Sequence, residues 1–336
     1  MKEKTKIAIN GYWRIGICVA KIIAGRDDVE LVAINSSTPH SEIEYLTRYD
    51  SVHWNCPYKV EVKDWVLCIW ERVKAKILSD RNPENLDFGK LWAEVVLDCT
   101  WAFLTTEKAK AYLHNWIKKV VMSAPAKDDT PTFVIWVNEK DYAWEEIVSN
   151  ASCTTNWMWA LTKIINEKFG IEKAIMTTIH SYTASQNVLD SKNPKDRRKG
   201  RSWSLNMIPT TTWAAKAITK IMPELIGKIH GQAVRVPTPD VSLIDINFVL
   251  EKDTNIEEIN KFLEEASLWE YAWIIAIDND MRVSTDFVWN SNSCIIAPDM
   301  TQVVGWNLLK IMAWYDNEWG YSSRLVDMGV YVNKNK

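Results

Sequence analysis

Residues 1–35 hold a strand, a glycine turn, a helix and a second strand, and this order narrows the possible folds more than any other feature. Residues 6–10 (Lys-Ile-Ala-Ile-Asn) form a short apolar strand. Gly11-Tyr12-Trp13-Arg14-Ile15-Gly16 follows, then apolar residues at helical spacing: Ile15, Cys18, Val19, Ile22 and Ile23. Residues 30–35 (Glu-Leu-Val-Ala-Ile-Asn) make the second strand. A strand, crossover helix and strand in about 30 residues is a βαβ unit, which commits its strands to a parallel sheet. Further strands over 74–78, 94–99 and 118–123, with a helical stretch over 105–115, extend this to a doubly wound, mostly parallel Rossmann-type α/β sheet. The turn is a dinucleotide fingerprint whose middle glycine is replaced by Trp13. The start of the 15–23 helix can hold a pyrophosphate; the alternative is a glycine turn that merely joins strand to helix.

In such sheets ligands sit at the carboxyl ends of the strands. The second strand ends in Asn35-Ser36 and offers no carboxylate to grip a ribose 2′-hydroxyl or repel a 2′-phosphate, so NAD and NADP both remain open. Thr100 and Ser123 end two later strands, and Arg81 lies in a polar loop after another.

The second half opens on Ala151-Ser152-Cys153-Thr154-Thr155-Asn156-Trp157, followed by Met158, Leu161, Ile164, Ile165 and Phe169 at helical spacing. Cys153 therefore rides in the first turn of a helix. Unpaired N–H groups and the positive end of the helix dipole there favour thiolate. The alternative is a small, inert packing cysteine. Residues 173–180 read as a strand ending in His180. A polar, basic stretch over 181–204 is too long for an ordinary connection. Thr210-Thr211-Thr212-Trp213 precedes a helical pattern over 214–221, and hydroxyls at a helix start suit a phosphate. Arg235 sits inside an apolar strand, where a guanidinium needs a carboxylate or an anionic ligand. Strands over 241–250, 274–277 and 308–315 and helices over 256–267 and 319–332 complete an α+β half, with Asp316-Asn317-Glu318 at the start of the last helix.

Composition removes other classes. A net charge of −3 gives no electrostatic reason to expect nucleic acid or an anionic membrane. No apolar run approaches a bilayer span and no signal peptide opens the chain, so a cytoplasmic location is expected. Six scattered cysteines and five histidines show no ligand spacing, so neither a metal nor a disulfide framework is expected.

Several blocks together resemble phosphorylating glyceraldehyde-3-phosphate dehydrogenases over nearly the whole chain. They are Ala8-Ile9-Asn10-Gly11 with Arg14-Ile15-Gly16, Tyr49-Asp50-Ser51-Val52-His53, Ser149-Asn150-Ala151-Ser152-Cys153-Thr154-Thr155-Asn156, Met176-Thr177-Thr178-Ile179-His180, Arg235-Val236-Pro237-Thr238, and Trp314-Tyr315-Asp316-Asn317-Glu318 with Gly320-Tyr321-Ser322. The resemblance implies a cofactor domain over 1–150, completed by 317–336, and a catalytic domain over 151–316 with a mixed, largely antiparallel sheet. It implies that Cys153 is the nucleophile and His180 its base, that glyceraldehyde 3-phosphate and inorganic phosphate are the substrates, and that NAD or NADP is the cofactor. By the same resemblance Asn10, Gly11, Arg14, Ile15, Gly16, Ser36, Arg81, Ser123 and Asn317 contact the cofactor. Ser152, Thr154, Thr183, Arg198, Thr212, Trp213 and Arg235 then bind the phosphates. The 181–204 segment resembles a loop that packs between subunits of a homotetramer.

The chain departs from that family in one systematic way. It has 19 Trp and 11 Gly, where an average composition of about 7% glycine would give roughly two dozen. Family members have glycine at Trp13, Trp54, Trp101, Trp116, Trp136, Trp213, Trp273 and Trp306, whereas Trp314 and Trp319 sit where the family accepts tryptophan. A stop codon read as glycine but translated as tryptophan produces this pattern. Ser36 stands where NAD-specific members carry Asp. Two competing readings are an erythrose-4-phosphate dehydrogenase and, if the tryptophans are literal, a catalytically impaired scaffold or binding protein.

Overall fold

A computed structural model describes residues 3–184, 186–194, 196–212, 214–269 and 271–335. Trp213 and Lys195 lie outside these residues. The chain divides into two compact units, Met1–Ser152 with Ser322–Lys336, and Cys153–Tyr321. The second boundary falls later than residue 317.

Unit 1 contains β1 (Thr5–Asn10), α1 (Arg14–Ala24), β2 (Val29–Asn35), α2 (His40–Arg48), β3 (Val60–Lys63), β4 (Val66–Ile69), β5 (Val73–Leu78), β6 (Val95–Asp98), α3 (Thr106–Ala109), β7 (Lys119–Met122) and β8 (Ile147–Ser149). Its sheet runs β3-β4-β5-β2-β1-β6-β7-β8. All neighbours from β5 to β8 are parallel, and β3 and β4 form an antiparallel edge. The strands are buried runs such as Ile7-Ala8-Ile9 and Val95-Val96-Leu97, as expected when both faces are covered. The order turns back beside β1, so the carboxyl ends of β1 and β6 flank a switch point. Gly11 lies there with φ +90°, and a Cβ on it would meet the Cys99 carbonyl carbon at 2.9 Å. A Cβ on Gly16 would meet the Gly11 oxygen at 2.3 Å. Both ends of the fingerprint therefore require glycine.

Unit 2 contains α4 (Cys153–Phe169), β9 (Ile171–Ser181), β10 (Ile208–Thr211), α5 (Ile218–Ile221), β11 (Ile229–Val236), β12 (Ser242–Leu250), α6 (Ile256–Leu268), β13 (Ile275–Ile277), β14 (Cys294–Ile296), β15 (Gln302–Val304) and β16 (Leu308–Tyr315). Its sheet runs β10-β11-β9-β12-β16-β14-β13, with β15 on β16. It is mixed: β9 is parallel to β11 and antiparallel to β12. The last helix, α7 (Trp319–Lys334), starts where the Asp316 carboxylate accepts the N–H groups of Glu318 (3.0 Å) and Trp319 (2.6 Å). That is the capping role expected of Asp316.

Three expectations change. The helix over 105–115 shrinks to α3 and a 3-10 turn, Lys110–Tyr112, because the chain tightens to carry Tyr112 to a buried partner, Asp98. Tertiary anchoring here overrides helix propensity. Thr210 and Thr211 belong to strand β10 rather than to a helix start. The segment beyond them is a 3-10 turn, Ala214–Ala217, and the single turn α5, which ends before Pro223. The β3–β4 hairpin is an addition to the strands expected from the sequence.

Candidate active site

At the start of unit 2 the local chain geometry sets the position of a thiol. Ala151 leaves β8 with a left-handed backbone, φ 54°, and is buried. An alanine tolerates this poorly, and such residues gather where a turn sets functional geometry. Two residues later Cys153 begins α4, half-buried. Its Sγ lies 3.5 Å from Nε2 of His180 and 3.9 Å from the Thr154 hydroxyl.

His180 is held from three sides. Strand register places Arg235 of β11 directly beside it on β9. Nδ1 of His180 lies 2.8 Å from the Ser181 carbonyl oxygen and 2.5 Å from Nη1 of Arg235, which also donates to that oxygen at 2.6 Å. One carbonyl therefore orients both the imidazole and the guanidinium. Tyr315 of β16 stands edge-on to the imidazole, with ring centroids 5.9 Å apart at 84°. Its hydroxyl lies 3.0 Å from both Thr154 and Thr178. Thr178 and His180 share a face of β9 because they are two residues apart. Asn317 sits on the same scaffold: Ser242 donates to its Oδ1 at 2.6 Å and accepts from the Ser181 N–H at 3.1 Å.

The electrostatics depart from expectation. The helix start predicts a lowered Cys153 pKa. Burial instead pushes the thiol above its ordinary value, although Arg235 and the Thr154 hydrogen bonds pull the other way. Burial, and then the charge of Arg235, push His180 down to about 3. The resting pair is a thiol beside a neutral imidazole. In the tautomer whose Nδ1–H donates to the Ser181 carbonyl, Nε2 presents its lone pair to the sulfur; in the other, Nδ1 accepts from Arg235.

This has a consequence for stability. The His180 pKa falls from 6.5 to about 3 on folding. Between those values the unfolded chain binds the extra proton, so this contribution is present above pH 6.5 and is lost as pH falls toward 3. Chemical denaturation from pH 7 down to pH 4 should show wild-type stability falling more steeply than that of His180→Gln, by at most about 1.4 kcal/mol per pH unit. Parallel profiles would refute the assignment.

The other expected phosphate ligands are less concentrated. Thr183 receives the Gln186 side chain, whose Oε1 accepts its N–H at 2.8 Å. Arg198 is exposed in the 3-10 turn Arg197–Gly200, and its N–H donates to Asp196 at 3.0 Å. Thr212 accepts from the Ala214 N–H at 3.3 Å. Among the described residues, no hydrogen bond or ion pair joins Arg198 or Thr212 to Cys153 or His180. Ser152 is half-buried just before the thiol.

Unit 1 holds the nucleotide candidates. Asn10 and Asn35 end adjacent strands, and Asn35 Nδ2 donates to Asn10 Oδ1 at 2.7 Å and to the Asp80 carbonyl at 2.8 Å. Ser36 is buried, and its hydroxyl accepts the Thr38 N–H at 3.2 Å. Ser123 is buried after β7, and Arg81 is exposed. Helix α1 begins without an acidic residue in its first turn, as an anion site requires. Ile15 lies in that turn. The Arg14 side chain, however, pairs with Asp50 at 2.9 Å. Burial opposes charge on Asp50, but hydrogen bonds from His53 and the charge of Arg14 hold it well below the usual carboxylate range. Two polar anchors escaped the sequence reading, Tyr315 in unit 2 and Asp98 in unit 1. Asp98 accepts from Thr100 at 2.7 Å and Tyr112 at 3.3 Å, and burial pushes its pKa up. The available signal was a polar group at the end of an apolar strand.

Comparison with known proteins adds an independent line. Residues 5–106 match the family described as glyceraldehyde 3-phosphate dehydrogenase, NAD binding domain, and residues 152–317 match its C-terminal domain. A cytosolic glyceraldehyde-3-phosphate dehydrogenase of Sinapis alba is 44% identical over 337 residues, 99% of both chains. A cytosolic relative from Arabidopsis thaliana is also 44% identical, again over 99% of both. One from Pinus sylvestris is 44% identical over 98% of this chain and 97% of its own. With these matches running the length of both units, the chain belongs to the glyceraldehyde-3-phosphate dehydrogenase family.

Proposed function

We propose that this chain oxidises glyceraldehyde 3-phosphate and joins the product to inorganic phosphate, giving 1,3-bisphosphoglycerate, with Cys153 as nucleophile and His180 as general base. The 3.5 Å approach of Sγ to Nε2, with Arg235 alongside, carries this reading. Attack of Sγ on the aldehyde carbon forms a thiohemiacetal. The Cys153 N–H at the start of α4 donates to the developing oxyanion. His180 Nε2 takes the hydroxyl proton as the carbon is oxidised to a thioester. NAD or NADP, when bound, accepts the hydride. The glycine turn and the acid-free start of α1 fit a pyrophosphate, with Asn10, Gly11, Arg14, Ile15, Gly16 and Ser36 as its neighbours and Arg81, Ser123 and Asn317 as further contacts. Phosphate then attacks the thioester carbon, and the departing thiolate recovers its proton. Ser152, Thr154, Thr183, Arg198, Thr212, Trp213 and Arg235 supply the anion sites, and a bound phosphate competes with the Ser181 carbonyl for Arg235. The absence of a carboxylate after β2 supports use of NADP as well as NAD. Cytosolic relatives, and the lack among the described residues of any helix long and apolar enough to cross a membrane, support a cytoplasmic enzyme. The 181–204 segment supports a homotetramer.

The test is cofactor reduction by the native protein with glyceraldehyde 3-phosphate, with and without inorganic phosphate. Turnover should need phosphate, and Arg235→Gln should raise the KM for a phosphate-bearing substrate on the order of tenfold or more, the scale of one charged hydrogen bond. Turnover indifferent to phosphate would sink the proposed reaction.

A further inference from the structure

Among the described residues, nine tryptophans adopt a left-handed backbone, in turns that chains ordinarily build with glycine. Asp64-Trp65 joins β3 to β4: Lys63 pairs with Val66, and φ is 51° at Asp64 and 62° at Trp65. Positive φ at both central residues defines a type I′ hairpin turn, for which Asp-Gly is a preferred pair. Asn115-Trp116 repeats the pattern with φ of 48° and 81°, where Asn-Gly is preferred. Trp92 closes the 3-10 turn Gly89–Leu91 with φ 68° and ψ 15°, the left-handed cap that is usually glycine. Trp54, Trp70, Trp101, Trp136, Trp144 and Trp289 complete the set, with φ between 53° and 78°. Bulky residues very rarely adopt this conformation.

Most of the indoles gain little in return, although Trp136 and Trp289 are half-buried and Trp289 packs on Trp319 with ring centroids 4.4 Å apart. Trp65 meets His40 and Trp70 stacks on Tyr58, yet they remain 52% and 48% exposed, and Trp116 is 85% exposed. Trp314 and Trp319 behave differently. Neither is left-handed. Trp319 is buried and donates Nε1–H to Ser291 at 3.2 Å, and Trp314 stacks on Phe287. Tryptophan serves these two positions and opposes its own backbone at the other nine.

We propose that the native polypeptide carries glycine at the nine left-handed positions, encoded by TGA codons that its source reads as glycine and that appear here as tryptophan. The inference rests on backbone geometry and stands apart from the proposed reaction. It has a consequence for the fold: glycine at position 101, after Thr100, clears an exposed indole from the carboxyl end of β6.

Two measurements on the same source decide it: the codons of the gene, and the peptide masses of the protein purified from that organism. The expected result is TGA with glycine masses at the nine positions, and TGG with tryptophan masses at Trp314 and Trp319. TGG at the nine positions overturns the proposal. So do tryptophan masses there, whatever the codon.

Discussion

Cys153→Ser should lower kcat on the order of 10³-fold or more while leaving cofactor affinity and thermal stability near wild type. The two side chains differ by one atom, and the hydroxyl can keep the contact with His180, so the fold is barely disturbed. Reactivity changes much more. A thiol has a far more accessible anion than an alcohol and forms a thioester that phosphate can cleave. Even this half-buried thiol, with its raised pKa, meets a neutral imidazole 3.5 Å away and the field of Arg235. Mass spectrometry after one turnover without phosphate should find an acyl adduct on wild-type Cys153 and none on the variant. A Cys153→Ser enzyme within tenfold of wild-type kcat would remove Cys153 from the chemistry.

Replacing all nine left-handed tryptophans by glycine should raise thermal stability by roughly 20–40 °C relative to the tryptophan-bearing chain. A left-handed backbone costs a residue with a Cβ about 1–2 kcal/mol. The nine positions are mostly separate turns, so their effects add. The sum, on the order of 10 kcal/mol, rivals the whole stability of an ordinary domain. Most of these indoles face solvent, so little apolar burial is lost in exchange. Both proteins can be made from a gene that uses TGG or a glycine codon at these positions, then compared by scanning calorimetry and soluble yield. Failure of the tryptophan-bearing chain to fold, while the nine-fold variant melts cooperatively, agrees with this expectation. Melting points within a few degrees of each other contradict it.

The same substitutions explain what the sequence hid. Alternation in Val60–Lys63 and Val66–Ile69 is readable, but Asp64-Trp65 lacks the glycine that announces a two-residue hairpin. The edge of the first sheet was therefore missed. By contrast, the βαβ unit was legible from residues 6–35, because its strands are apolar runs and its helix repeats at the expected period. Gly11 and Gly16 survived as glycine, so the fingerprint could still be found despite Trp13 between them. The 105–115 stretch was misread for a different reason: Tyr112 is bound to Asp98, a partner that periodicity cannot reveal.

The sequence by itself determined that a cysteine starts a helix, that a histidine ends a strand and that an arginine lies inside another. These follow from local periodicity and capping, which depend on neighbours within a few residues. Only the tertiary structure decided that the three meet. His180 and Arg235 are 55 residues apart and become neighbours through the register of β9 with β11. Tyr315 reaches them from β16, and its hydroxyl ties the first turn of α4 to β9. The sign of the thiol's pKa shift also belongs to the tertiary level. Helix dipoles can be read along the chain, whereas the loss of water around Sγ is set by every segment packed over it, and here that loss prevails.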